Sequence, residues 1–390
     1  LSTKTFLLTG GRAPATLELA RFLHTAGHRI LLAESAPFTL CQGSRAISKT
    51  FHVPAPRYDP KKFLSELKNI VLKEKVDIVL PTSEEIFTVA YGRDLLTPYT
   101  RVWTDKWEKL NTLHNKWTFV KLAQKLGLHV PQTWKIESDH DWRQVRSNLP
   151  EGMSFILKPV YSRFATRIYP LSDRDQPLPP ISVHSKQPWL VQQWISGRQV
   201  CTYGVADHGR LLAHVAYQTV YTAGKGAGIT FTPYQQTQLP FLVQKIVEKL
   251  HFTGQISFDW IETPEGDLVL IECNPRLTSG IHLFHHKDGL DRVFVQPDFV
   301  SFITPQTEQK RMLRLAMCTY GIAAVSSFSQ FQAWLKTMFT YRDVIFRWND
   351  PIPFFYQWLS LFYFWCQSRK HGISMTEAST HDIEWNGEIV

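Results

Sequence analysis

Cysteine is scarce in this chain: five residues in 390, at 41, 201, 273, 318 and 366, with no C-x-x-C pair. That spacing excludes a disulfide scaffold or a zinc ribbon and predicts a reducing compartment. Long apolar runs are lacking too. The longest, Ile352 to Cys366, is broken by Gln357 and Ser360 and falls short of the roughly 20 residues that a bilayer span requires. Residues 1–30 hold no continuous apolar h-region, so a secretory signal is not expected and the reading is a cytoplasmic protein. A long Lys/Arg run interleaved with aromatics is missing, as is any nucleic-acid motif, so nucleic acid is not an expected partner.

What is present bounds the answer further. With 44% hydrophobic residues the chain can bury large cores, which excludes a disordered or collagen-like protein. Its 390 residues predict two or three domains at about 150 residues each. Lys and Arg number 43 against 34 Asp and Glu, a net charge of +9 that favours anionic partners. Aromatic residues cluster, with fifteen between Phe328 and Trp365. Within that block Phe354, Trp358, Leu361 and Trp365, widened by Phe355 and Phe362, form a stripe at helical spacing. The first reading of the stripe is packing against the rest of the molecule or a subunit partner. The second is peripheral membrane contact, with Arg369, Lys370 and His371 just beyond, and the third is a wall of a substrate pocket.

The first hundred residues alternate strands and helices. Thr5–Thr9 reads as a buried strand, and Leu19, Phe22, Leu23 and Ala26 mark one helical face ended by Gly27. Arg29–Ala33 is a second strand with Glu34 at its end; a helix over Lys61–Lys73 and a strand over Asp77–Leu80 follow. This is a parallel α/β pattern. Glu34 lies 24 residues after Gly10, as an acid that binds a nicotinamide ribose would. The sequence after Gly10-Gly11 is Arg12-Ala13-Pro14-Ala15, however, without the later glycines that let a pyrophosphate approach the backbone. An NAD(P)-dependent oxidoreductase is therefore the second function considered, and a basic membrane-surface or nucleic-acid binder the third.

The middle of the chain holds four pieces. Lys116 stands in the first turn of a helix carrying Phe119, Leu122, Ala123 and Leu126 on one face. Lys158 interrupts the apolar strand Ser154–Val160, where a charge needs an anion beside it, either a carboxylate or a ligand phosphate. Pro188–Gly197 is an apolar run that can pass beside a flat base and offer its backbone edge, or serve as an ordinary sheet strand. Finally Ile256, Phe258 and Trp260 alternate with Asp259 on a strand, Thr263–Asp267 has turn chemistry, and Leu268–Cys273 returns. A hairpin centred between Glu265 and Gly266 sets Asp259 directly opposite Glu272, with Asn274 projecting from the same side. Two opposed carboxylates repel unless a cation lies between them, and these hard oxygen donors suit Mg²⁺ carrying phosphate. Arg276 is placed to hold a further phosphate or carboxylate.

Glu272-Cys273-Asn274-Pro275-Arg276 resembles the E-x-N-P-R signature of the ATP-grasp superfamily. So do Lys116, Lys158 in Ile156-Leu157-Lys158-Pro159, the Pro188–Gly197 hinge strand and Asp259 thirteen residues before Glu272. The order is similar to carbamoyl-phosphate synthetase halves and amino-acid ligases. The Gly254–Trp260 and Glu272–Arg276 segments look closest to the ligases of mycosporine biosynthesis. The resemblance covers roughly residues 1–285. It implies a mixed α/β and α+β architecture: a Rossmann-like pre-ATP-grasp domain (1–105), a two-lobed ATP-grasp domain (106–300, lobes 106–195 and 196–300) and an appended aromatic-rich helical region (301–390). It implies that Lys116 and Lys158 hold ATP phosphates and that the backbone of Gln192, Gln193, Trp194 and Ile195 meets adenine. Asp259, Glu272 and Asn274 would bind Mg²⁺, for which Mn²⁺ can substitute. Arg276 and Lys225 would act at the acyl-phosphate end, in a loop that Gly224, Gly226 and Gly228 let close. The implied reaction joins a small carboxylate to an amine through an acyl phosphate, releasing ADP and phosphate, in a chain able to form a homodimer. Three positions depart from the family pattern. Gln193 stands where a hinge acid is common, and Gln199 (or Val200) where a glutamate commonly meets the ribose or the neighbouring lysine. The loop Tyr161–Arg167 lacks the usual glycines, leaving Arg163 and Arg167 as candidate clamps.

Overall fold

The structure, a computed structural model, describes residues 2–162, 167–171, 179, 181–224 and 226–387. The first strands are β1 (Thr5–Thr9), β2 (Arg29–Glu34), β3 (Lys49–His52), β4 (Ile78–Leu80) and β5 (Arg101–Val102). They pair in parallel in the order β3-β2-β1-β4-β5. Phe6, Leu8, Ile30 and Leu32 fill one face of this sheet and Leu7, Leu31, Val53 and Val79 the other. Burial on both faces explains why the strands read as continuous apolar runs. The order reverses between β1 and β4, so the crevice of this doubly wound sheet opens beyond Thr9 and Leu80.

That crevice is not a dinucleotide site. Gly10 adopts φ +72°, and a Cβ on Gly11 would come within 2.7 Å of Leu32. Arg12 turns back from this bend, buried, to bond Glu34 and, at 2.6 Å, Asp382 of the C-terminal tail. Glu34 is thus consumed as the partner of an internal arginine, which removes the oxidoreductase reading. The tail acid Asp382 forms a salt bridge here.

Two further sheets carry the middle of the chain. β6 (Thr133–Ile136), β7 (Phe155–Pro159), β8 (Tyr169–Leu171) and β9 (Trp189–Gln193) form an antiparallel sheet ordered β6-β9-β7-β8. β10 (Arg198–Asp207) and β11 (Arg210–Gln218) form the centre of a larger sheet. A small ribbon of β12 (Thr222–Ala223) and β13 (Ala227–Gly228) follows, then β14 (Thr230–Pro233), β15 (Gly254–Glu262) and β16 (Leu268–Asn274). The Gln238–Lys249 helix buries Leu239, Val243, Ile246 and Val247 against the larger sheet.

The C-terminal region is threaded through both halves. β17 (Arg311–Met312) and β18 (Arg342–Asp343) complete the larger sheet, ordered β16-β15-β10-β11-β14-β17-β18. Beyond it the chain returns to the N-terminal sheet, where Arg21 donates to Asp350 at 2.8 Å and to the Ile345 carbonyl at 2.8 Å. Asp350 also accepts from Ser44 Oγ and the Arg45 N–H.

The Ile352–His371 helix then lies along the N-terminal domain on a face made by Pro353, Tyr356, Ser360 and Phe364. Gly43 permits the contact, since a Cβ there would sit 2.6 Å from the Tyr356 ring. The aromatic stripe expected to pack is divided: Phe354 packs on the N-terminal core and Leu361 is half-buried, whereas Phe355, Trp358, Phe362 and Trp365 are 63%, 52%, 64% and 44% exposed. The helix is apolar nearly all round, so spacing alone did not say which side is covered. Outward orientation also removes the pocket-wall reading. Among the described residues no helix is long and apolar enough to cross a membrane.

Asp350→Ala would strand the buried Arg21 guanidinium and should cost about 3–5 kcal/mol in urea denaturation. Asp350→Asn, which keeps the acceptor for Ser44 and Arg45, should cost less. Equal stability of the alanine variant and the parent would refute this latch.

Candidate functional site

The site is built on the β15–β16 hairpin, and its register depends on a bulge. Thr263 N–H donates to the Asp267 carbonyl, closing a five-residue turn in which Gly266 takes φ +91°. The strands next to the turn pair Glu262 with Leu268, Ile261 with Val269 and Trp260 with Leu270. The register then shifts at Ile271, and Asp259 meets Glu272, Phe258 meets Cys273 and Ser257 meets Asn274. A bulge residue reverses the in–out alternation of its strand. Leu268 and Leu270 point into the core, and after the extra residue Cys273 does so, leaving Glu272 and Asn274 on the open face with Asp259. The expected pairing is present, although the turn is one residue shorter than a symmetric hairpin supposes and the bulge supplies the difference.

Around this pair the structure assembles cations. Asn115 caps the Lys116–Lys125 helix by accepting from the Trp117 and Thr118 N–H groups. Its side-chain nitrogen is held by the Tyr161 hydroxyl, which donates in turn to Asn111. Lys116 is thereby fixed at the helix start, with Nζ 3.4 Å from Glu272 Oε2 and 2.9 Å from the Ser162 carbonyl. Lys158 enters from β7, 3% exposed, and among the described residues its ammonium has no ion pair or hydrogen-bond partner. Asn274 Nδ2 lies 3.4 Å from Asp259 Oδ2, and Asn274 Oδ1 accepts from Arg276 at 3.2 Å.

The electrostatics follow from this crowding. Burial, then the charge of Glu272, pushes Asp259 up to about 7. Burial acts on Glu272 as well, but Lys116 and Lys158 outweigh it and hold that carboxyl down at about 2. Burial lowers Lys158 to about 8, against the pull of Glu272. The site therefore combines a carboxyl reluctant to ionise with a lysine reluctant to stay charged. A divalent cation on the first and an anion on the second would relieve both.

Other expected residues stand apart from this cluster. Gln192 is buried in the sheet and donates its side-chain amide to Thr133. Gln193 N–H donates to the Gln132 carbonyl and Trp194 N–H to the Ser154 carbonyl. Trp194 is exposed and Ile195 half-buried; the Trp194 carbonyl and Ile195 N–H have no partner among the described residues. Gln199 is exposed opposite Ile261, two residues before Cys201, which pairs with Asp259. Gly224 takes φ +64° at the tip of the β12–β13 ribbon, whereas Lys225 lies outside the described residues, as does Arg163. Arg167 is exposed. Of the histidines after Arg276, His282 is buried as a partner of Glu18 at 3.6 Å.

Two participants were not anticipated. Glu84, 1% exposed, accepts from Arg276 Nε at 3.0 Å and has His114 Nε2 3.7 Å from its other oxygen. It sits at the end of β4, at the switch point of the N-terminal sheet. The adjacent acids Glu84-Glu85 after a buried strand were the available signal. Glu85 fastens that loop by accepting from Thr9 Oγ1 and from the Thr82 and Ser83 N–H groups. Cys201 is the second; burial, then Asp259, pushes its thiol well up.

The family model described as ATP-grasp domain matches residues 113–280. Comparison with curated protein sequences finds no match. Among solved structures, N5-carboxyaminoimidazole synthetase from Staphylococcus aureus is 13% identical over 83% of this chain and 86% of its own, with a TM-score of 0.63. An L-amino acid ligase from Bacillus licheniformis is 12% identical over 76% of this chain and 74% of its own, with a TM-score of 0.57. The biotin carboxylase domain of Hydrogenobacter thermophilus 2-oxoglutarate carboxylase, solved with MgADP and bicarbonate, is 11% identical. It covers 76% of this chain and 70% of its own, with a TM-score of 0.58. At these identities the likeness is one of fold.

The perturbed groups make a stability prediction. Asp259 is raised from its ordinary 3.8 to about 7, so the folded state binds more protons than the unfolded one between those values. Stability from this group is present below the lower value and lost as pH rises through the upper one. Asp259→Asn in metal-free buffer should therefore raise stability at pH 8 by on the order of 2 kcal/mol and flatten the decline between pH 4 and 7. Lys158→Met should also stabilise the ligand-free fold, since it removes an unpartnered buried charge. Destabilisation by both substitutions in thermal melts would contradict the site as described.

Proposed function

We propose, for a chain whose residues 113–280 are an ATP-grasp domain, an ATP- and Mg²⁺-dependent ligase that joins a small carboxylate to an amine through an acyl phosphate. The observation that carries this reading is the unpartnered, buried Lys158 beside the opposed pair Asp259 and Glu272. Lys116 and Lys158 would take the phosphates of ATP. The Gln192–Ile195 segment would offer its free backbone edge at Trp194 and Ile195 to adenine, with Gln199 toward the ribose. Such a site is suited to phosphoryl transfer, which needs positioning and charge neutralisation more than a covalent nucleophile.

The donor set fits Mg²⁺. Among the described residues no three His, Cys, Asp or Glu side chains cluster as a metal cage. Mg²⁺ is commonly held by one or two carboxylates plus substrate phosphates and water, and Asp259, Glu272 and the Asn274 amide provide such a partial shell. Bound there, Mg²⁺ or Mn²⁺ would neutralise phosphate charge.

In the reaction, a carboxylate oxygen attacks the γ-phosphorus and ADP leaves. The amine then attacks the acyl carbon, phosphate departs and the nitrogen loses a proton. Arg276, oriented by Glu84 and Asn274, would steady the acyl phosphate. Lys225 is proposed for the same end, in the loop of Gly224, Gly226 and Gly228. The solved ligases with this fold support the reaction class, and the identity of the two substrates is left to experiment.

Incubation with MgATP and pools of carboxylates and amines should give ADP and phosphate only when both co-substrates are present. Glu272→Gln and Lys158→Met should each lower kcat/KM by about a hundredfold or more. Formation of AMP and pyrophosphate, or full activity of the Glu272 variant, would overturn the proposal.

A further inference from the structure

The outward face of the Ile352–His371 helix has no part in the chemistry. Phe355, Trp358, Phe362, Trp365 and Arg369 follow one another at spacings of three and four along its solvent side, and all are exposed. The opposite side is fixed to the N-terminal domain through Tyr356, Ser360 and Phe364. The helix is therefore held flat on the molecule, about 30 Å long at 1.5 Å per residue, with bulky aromatics in water. Trp348, just before the helix, is also 90% exposed.

Charge separates the occupants such a face could have. Residues 351–376 contain no Asp or Glu, and neither do residues 309–342. The two acids between them are engaged: Asp350 by Arg21, and Asp343 as acceptor for the Arg314, Ile345 and Phe346 N–H groups. Arg369 lies over the Trp365 ring at 5.8 Å, with Lys370 and His371 next to it, all three exposed. A second copy brought against this helix by a two-fold axis would present the same basic helix, with no acid of its own to pair with Arg369 and Lys370. A neutral apolar partner would gain nothing from the cations. An anionic lipid surface meets both features, since aromatic rings settle at the headgroup level while Lys and Arg are drawn to acidic lipids.

We infer that the outer face of the Ile352–His371 helix is a peripheral docking surface for an anionic lipid bilayer, lying in the interface plane without crossing it. The aromatics supply insertion and the Arg369–His371 cluster supplies lipid preference. Because that face shares no residue with the Asp259–Glu272 hairpin side chains, docking and nucleotide chemistry are separable by substitution.

Cosedimentation with vesicles of phosphatidylcholine alone, and of phosphatidylcholine with phosphatidylserine, tests this on the full chain. Binding should be about tenfold or more stronger to the anionic vesicles and should weaken as salt rises. Trp358→Ser with Phe362→Ser should lose binding to both. Arg369→Gln with Lys370→Gln, a pair at the exposed helix end that leaves folding intact, should lose only the preference for phosphatidylserine. Light scattering of parent and variants should show one unchanged oligomeric state. Absence of vesicle binding by the parent, equal binding to both vesicle types, or dissociation of an oligomer by the Trp358 variant would overturn the inference, the last by assigning the face to a second copy.

Discussion

Two carboxylates set opposite each other across a hairpin repel, and most of what surrounds Asp259 and Glu272 answers that repulsion. A capped helix start delivers Lys116 to Glu272. A central strand of the smaller sheet delivers Lys158 without giving it a partner of its own. The switch point of the N-terminal sheet delivers Glu84, which restrains Arg276 instead of leaving it to collapse onto the pair. Three separate sheets thus converge on one charge balance that stays incomplete in the protein alone. Under the proposed function a divalent cation and a polyanion, the two halves of a metal nucleotide, would complete it.

Much of this was legible in the sequence, for identifiable reasons. Thr5–Thr9 and the Lys116 helix follow from hydrophobic period, and their bounds were read within a residue or two. The opposition of Asp259 and Glu272 was legible from turn chemistry, but by a compensation. The real turn is shorter by one residue, and the bulge at Ile271 restores the pairing. Bulges depend on how a strand meets its neighbour: here Leu270 N–H donates to the His129 carbonyl, a contact 141 residues distant that no local pattern announces. Glu84 was missed for the same reason, since its partner Arg276 lies 192 positions away.

The C-terminal region shows the limit of periodicity. A stripe of Phe and Trp at helical spacing identified a helix, but of its aromatics only Phe354 is covered by the N-terminal domain. The side was decided by Gly43, whose missing Cβ lets Tyr356 close on the N-terminal domain, and by the latch of Arg21 on Asp350. Likewise the Gly10-Gly11 bend and Glu34 have the outline of a dinucleotide fingerprint, yet Arg12 fills that role from within. In both places the deciding residue is small or unremarkable in sequence and acts through a distant partner.

Isothermal titration of ADP into the protein, with Mg²⁺ and then with a chelator, tests the central claim most directly. The account predicts metal-dependent binding, weakened about tenfold or more by the chelator and insensitive to metal in a Glu272→Gln variant. Equal affinity with and without Mg²⁺ in the parent protein would contradict it.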